Sequence, residues 1–175
     1  MRLARTSVLF LLIGGAIGAP LLSLSTHTAP PIERAPAESS SQHLLQMIES
    51  DGARQTAETL SHDHKWSEVR QAVTSGQPDA ARVVPELMPL ADPGTARSLQ
   101  QAMRTTLPRH PATVLAETTE DKGMPLSTDT ICKPVGMNAV WRAQVKRAVA
   151  DVHDLRLAVR AKHCLDALGT TPRAS

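Results

Sequence analysis

The chain has 175 residues with 19 basic and 17 acidic side chains, and two of the cations, Arg2 and Arg5, precede an uncharged run from Thr6 to Ser25. With that amino-terminal pair set aside the charges balance, which argues against nucleic acid or an anionic membrane surface as the main partner. Beyond Phe10 there is no Phe or Tyr, and Trp66 and Trp141 are the only tryptophans, too few to build the stacking platforms of sugar or single-strand nucleic-acid sites.

A basic start followed by an apolar run is the layout of a secretory signal, so residues 1–25 read as an export signal and the protein as periplasmic or secreted. Two cleavage points compete. Pro20 follows Ala19 and disfavours a cut there, whereas Ser23-Leu24-Ser25 places small residues at both recognition positions. An uncleaved anchor is the rival, because about 20 uncharged residues can span a bilayer; Gly14, Gly15, Gly18 and Pro20 weaken it as a helix. No membrane role beyond the export signal is expected. Residues 26–41, THTAPPIERAPAESSS, hold Pro30, Pro31 and Pro36 and little apolar mass, the composition of a flexible leader. Residues 42–169 then suit one small domain, and residues 170–175 a disordered tail.

Helical spacing recurs along that domain. Leu44, Leu45 and Ile48, with Met47 beside them, begin a first helix over Ser41–Leu60, weakened at Asp51-Gly52. Trp66, Val69 and Val73 form the stripe of a second helix, His64–Thr74, with Gly76 as a left-handed cap. Pro78, Pro93 and Pro111 each open a short helix, where a missing N–H costs nothing. Asp92 is a good cap for the helix whose stripe is Leu99, Ala102 and Met103. Pro85 predicts a kink or an end near Val84. Thr118–Pro134 reads as a polar loop, and Glu117 before it with Glu120 and Asp121 inside it as carboxylates that solvate it rather than a catalytic pair.

The carboxyl-terminal third carries two apolar faces. Trp141, Val145, Ala148, Val152, Leu155 and Val159 line one; Leu157, Ala161, Cys164, Leu165 and Leu168 line nearly the opposite one. One straight helix cannot bury both. A break near His153-Asp154, with Asp154 capping the second helix, turns the chain into a hairpin. The turn brings Cys164 toward Cys132, and an isolated cysteine pair in an exported chain reads as a structural disulfide. The expected fold is all-α, an array of short helices followed by a carboxyl-terminal helical hairpin stapled by one disulfide.

Candidate chemistry is sparse. His62-Asp63-His64 has metal-ligand character, but two ligands do not close a site, and the plainer reading starts the Trp66 helix with Asp63 near its cap. His153-Asp154 and His163-Cys164 are adjacent in sequence, and neighbours on a helix point about 100° apart. No G-x-S-x-G, phosphate-binding glycine loop or Cys/His zinc pattern is present. No cofactor, metal or catalytic residue is therefore expected.

From Trp66 onward the runs WSEVRQAVTSGQPD, LADPGTARSLQQAM, LPRHPATVL, ICKPVGM and KHCLDALG resemble a group of small exported proteins of Gram-negative bacteria that has no assigned activity. The resemblance covers about the last 110 residues. It implies export, helicity and the cysteine pair, and brings no catalytic residues. The functional expectation is a non-enzymatic helical protein that binds another envelope or secreted protein, for instance as an immunity protein or inhibitor toward an exported toxin. The alternatives are a small metal-binding or hydrolytic protein using His62 and His64, and an envelope chaperone or structural protein.

Overall fold

Ser39 caps the first helix. The computed structural model describes residues 39–169; the segment read as an export signal, nearly all of the expected leader and the expected tail lie outside the described residues. In α1 (Ser40–His62) the Ser39 hydroxyl accepts the Gln42 N–H at 3.3 Å, and the Gln42 side-chain oxygen accepts the Ser39 N–H at 3.1 Å. The reciprocal pair satisfies donors that a helix start leaves free. The fold thus begins before Ser41, earlier than composition indicates: Ser41 is buried and its N–H donates to the Gln77 side chain at 3.0 Å. Serine suits a linker and a helix cap alike, and composition does not separate the two.

α1 bends at Gly52, whose φ of 84° and ψ of 156° are not helical. Glycine takes that conformation without a Cβ clash. Leu44 before the bend and Ala57 and Leu60 after it are all buried, so both halves face the core. α2 (Trp66–Thr74) buries Val69, Ala72 and Val73. It ends as the sequence predicts: Gly76 has φ 67°, its N–H donates to the Val73 carbonyl, and the Gln77 N–H donates to Ala72, the paired bonds of a Schellman cap. A Cβ on Gly76 would sit 2.5 Å from the His110 ring, so this turn needs glycine for space as well as for φ.

α3 (Ala80–Leu87) runs through Pro85 and tightens into a 3-10 turn over Met88–Leu90. Of the kink or end expected near Val84, the end does not occur, since α3 continues to Leu87. Proline removes only one helical donor here, and burial of Val83, Val84, Leu87 and Met88 holds the next turn in place. α4 (Pro93–Thr106) is capped by Asp92, whose carboxylate accepts the Gly94 and Thr95 N–H groups at 2.8 and 3.1 Å. A hydrogen bond from the Thr95 side chain, together with those backbone bonds, holds the Asp92 carboxyl below its ordinary range. Leu99, Ala102 and Met103 are buried, and α5 (Pro111–Glu117) follows after a short turn.

The segment expected to be a loop contains α6 (Thr128–Cys132), capped by the Ser127 hydroxyl on the Thr130 N–H at 3.2 Å. An isolated parallel bridge joins Thr119 to Ser127, and the buried Thr118 and Thr128 hydroxyls meet at 2.9 Å. Five residues are too few for apolar periodicity to register.

α7 (Ala139–Ala150) and α8 (Ala158–Gly169) form the hairpin, with the break where the sequence places it and the Asp154 side chain accepting the Arg156 N–H at 2.9 Å. The expected α7 stripe is partly corrected. Trp141 and Val145 are buried, but Val149 completes the face, while Leu155 is 89 % exposed and Val159 is also exposed. The break resets the helical phase, so a stripe drawn across it does not persist.

Among the described residues the protein is all-helical, without a named strand. α2 packs on α4 and α1, α3 on α1 and α5, and α6 on α8. No helix among them is long and apolar enough to cross a membrane. The expected Cys132–Cys164 disulfide is present, with a Cα–Cα distance of 5.2 Å, and it joins α6 to α8. Both cysteines are fully buried. The crosslink removes loop freedom from the unfolded chain, so Cys132→Ser or Cys164→Ser is expected to cost roughly 2–4 kcal/mol. Denaturant melts of oxidised protein and of either variant measure this; coincident midpoints would remove the staple from the account of stability.

Candidate functional site

The His62-Asp63-His64 cluster lies at the exit of α1. Asp63 is the C-cap of α1 rather than a cap of α2, whose N-cap is Lys65. The difference arises because α1 persists to His62 and His64 then turns the chain at φ 57°. His62 Nδ1 lies 2.9 Å from one Asp63 oxygen and Lys65 Nζ 3.4 Å from the other. Hydrogen bonds from His62 and then Lys65 hold the Asp63 carboxyl below its ordinary range. The His62 side chain is 90 % exposed. Among the described residues no three His, Cys, Asp or Glu side chains are gathered as for a metal ion. His163 sits on α8 beside the disulfide, and Cys164 is consumed by that bond.

The acidic run behaves differently from its sequence reading. Glu120 and Asp121 are exposed, but Glu117, the last residue of α5, is fully buried. Neither of its carboxyl oxygens has a hydrogen-bond partner. Burial pushes this carboxyl up to about 8. The Arg160 guanidinium reaches the same helix end but donates to the Leu115 and Ala116 carbonyls at 3.3 and 3.2 Å, and its ion-pair partner is Glu120 at 3.9 Å. Glu117 is therefore a neutral acid enclosed in the core at pH 7, without access to a substrate.

The most distinctive surface feature is an apolar cleft between two copies of one tripeptide. Met88-Pro89-Leu90 closes α3, and Met124-Pro125-Leu126 precedes α6. Met88 and Pro89 face Met124, Pro125 and Leu126 across a cleft of about 210 Å³, with Pro85 at its end. Both walls are fixed from behind. Met88 and Leu126 are core residues, and the Thr119 N–H donates to the Leu126 carbonyl at 2.9 Å. Met124 is 51 % exposed at the mouth. Prolines present no N–H, so these walls offer apolar surface and few directed hydrogen bonds; methionine supplies a flexible, polarisable contact. The volume lies below that of usual cofactor sites and suits one or two apolar side chains. Thr119 and Asp121 are the polar groups at its edge.

Periodicity missed this site because its residues lie in a 3-10 turn and a loop. The repeated Met-Pro-Leu is the signal that marks it in the sequence. It places two proline-stiffened apolar turns 36 residues apart in sequence, and the fold makes them the two walls of one cleft. Comparison with protein-family models, with curated proteins and with solved structures gives no match to this chain.

Proposed function

We propose that this chain is an exported, non-enzymatic helical domain that acts by binding another protein, with the cleft between the two Met-Pro-Leu turns as the seat for the partner's apolar side chains. The cleft carries this reading: it is apolar, preformed and edged by exposed Met124, the surface that peptide-binding grooves present. Export is supported by the signal-like residues 1–25 and by a disulfide suited to the periplasm or the extracellular space. The small cleft volume favours one defined partner segment over the many clients of a chaperone.

A photoreactive residue in place of Met124 in the exported protein is expected to give one dominant protein adduct, with none from the same residue at Gln55 on exposed α1. Pro89→Asp, an exposed change at the cleft wall, is expected to abolish the adduct while leaving the helical spectrum intact. Equal adducts at both positions, or an adduct insensitive to Pro89→Asp, would overturn the assignment.

A further inference from the structure

A second depression, of about 590 Å³, lies between the end of α4 and α7. Trp141 is among its lining residues, 8 % exposed and fixed by its indole N–H, which donates to the Arg104 carbonyl at 2.8 Å. Arg109, from the turn after α4, and Arg147, from α7, also line it, with Gln144. Both arginines are exposed, and among the described residues neither guanidinium has an ion-pair or hydrogen-bond partner. Two unpartnered guanidinium groups thus line one depression beside the more buried of the two tryptophans.

We propose that this depression is a docking surface for a protein segment that presents an apolar side chain between two carboxylates. The apolar side chain packs against the exposed part of Trp141, and the carboxylates pair with Arg109 and Arg147. Charge complementarity selects the occupant. Guanidinium groups accept discrete carboxylates in bidentate geometry, and tryptophan with arginine is the composition of interface hot spots. Asp151 also lines the depression, and its negative charge opposes a dense polyanion such as a phosphate-coated surface. The proposal rests on the protein-binding reading but uses a different surface from the Met-Pro-Leu cleft.

The test uses exported protein carrying Trp66→Phe, in which Trp141 is the sole tryptophan. The probe is a synthetic peptide of alternating glutamate and leucine; a lysine–leucine peptide, phosphatidylglycerol vesicles and inorganic phosphate are the comparisons. The expected result is a saturable change in Trp141 emission with the glutamate peptide, weakened about tenfold by Arg109→Ala or Arg147→Ala and weakened by added salt. Calorimetry of the unaltered chain gives the same ranking without relying on Trp66→Phe. No saturable response, an equal response to the lysine peptide, or a response to vesicles or phosphate in preference to the glutamate peptide overturns the proposal. The Met124 adduct is expected to survive Arg109→Ala and Arg147→Ala, so failure here is distinguishable from failure of the cleft.

Discussion

The protein is expected to be more stable near pH 5 than near pH 8, because Glu117 folds as a neutral acid. Its carboxyl is raised from 4.5 to about 8 by burial, so between those values the unfolded chain ionises while the folded chain holds the proton. The Glu117 contribution is fully present below about 4.5 and is lost as pH rises through about 8. The slope is at most a little over 1 kcal/mol per pH unit, roughly 4–5 kcal/mol across the window. Asp63, Asp92 and Asp154 have lowered values from their hydrogen-bond partners and work in the opposite sense. Their contributions are lost only as pH falls below the ordinary carboxylate range, so they do not offset the loss above pH 5. Glu117→Gln and Glu117→Met are expected to flatten the profile between pH 5 and 8 and to exceed the parent at pH 8. Denaturant midpoints across that range decide it. A parent profile unchanged by either substitution would mean that another group controls the pH dependence.

Trp141→Ala is expected to cost roughly 3–5 kcal/mol, the range for emptying a buried aromatic site, and Trp66→Ala clearly less. The sequence reads both as buried stripe leaders; the structure bears this out for Trp141, 8 % exposed, and corrects it for Trp66, which is half-buried. Trp66 is the first residue of α2 and its indole N–H donates to the exposed Ser61 hydroxyl at 3.0 Å. Trp141 sits between α7 and α4 and donates to a backbone carbonyl. Removing it leaves both a cavity and the Arg104 carbonyl without this partner. Chemical denaturation of the two variants measures the difference, and fluorescence of each single-tryptophan protein gives an independent check, with Trp66 the more readily quenched. Comparable losses would show that residue type outweighs position.

Local chemistry alone placed several features of this protein. Asp92, Gly76 and Asp154 are legible because capping depends on a few neighbouring residues. The hairpin is legible because opposed apolar faces cannot share one straight helix, and the Cys132–Cys164 bond follows from the resulting turn. The rest depended on contacts between distant segments. Pro85 is tolerated inside α3 because tertiary burial outweighs one lost donor. α6 is too short to show a period and is held by α8, the disulfide and the Thr119–Ser127 bridge. Glu117 reads as a solvated acid beside a polar loop, yet its helix seats it in the core. The Met-Pro-Leu turns are visible in the sequence as composition only, and become a cleft where the end of α3 and its 3-10 turn meet the segment before α6. Caps and helix breaks are decided by energies that act within a turn of helix. Burial of a carboxyl group and the shape of a cleft are decided by which distant surfaces exclude water together, and that information exists only in the folded chain.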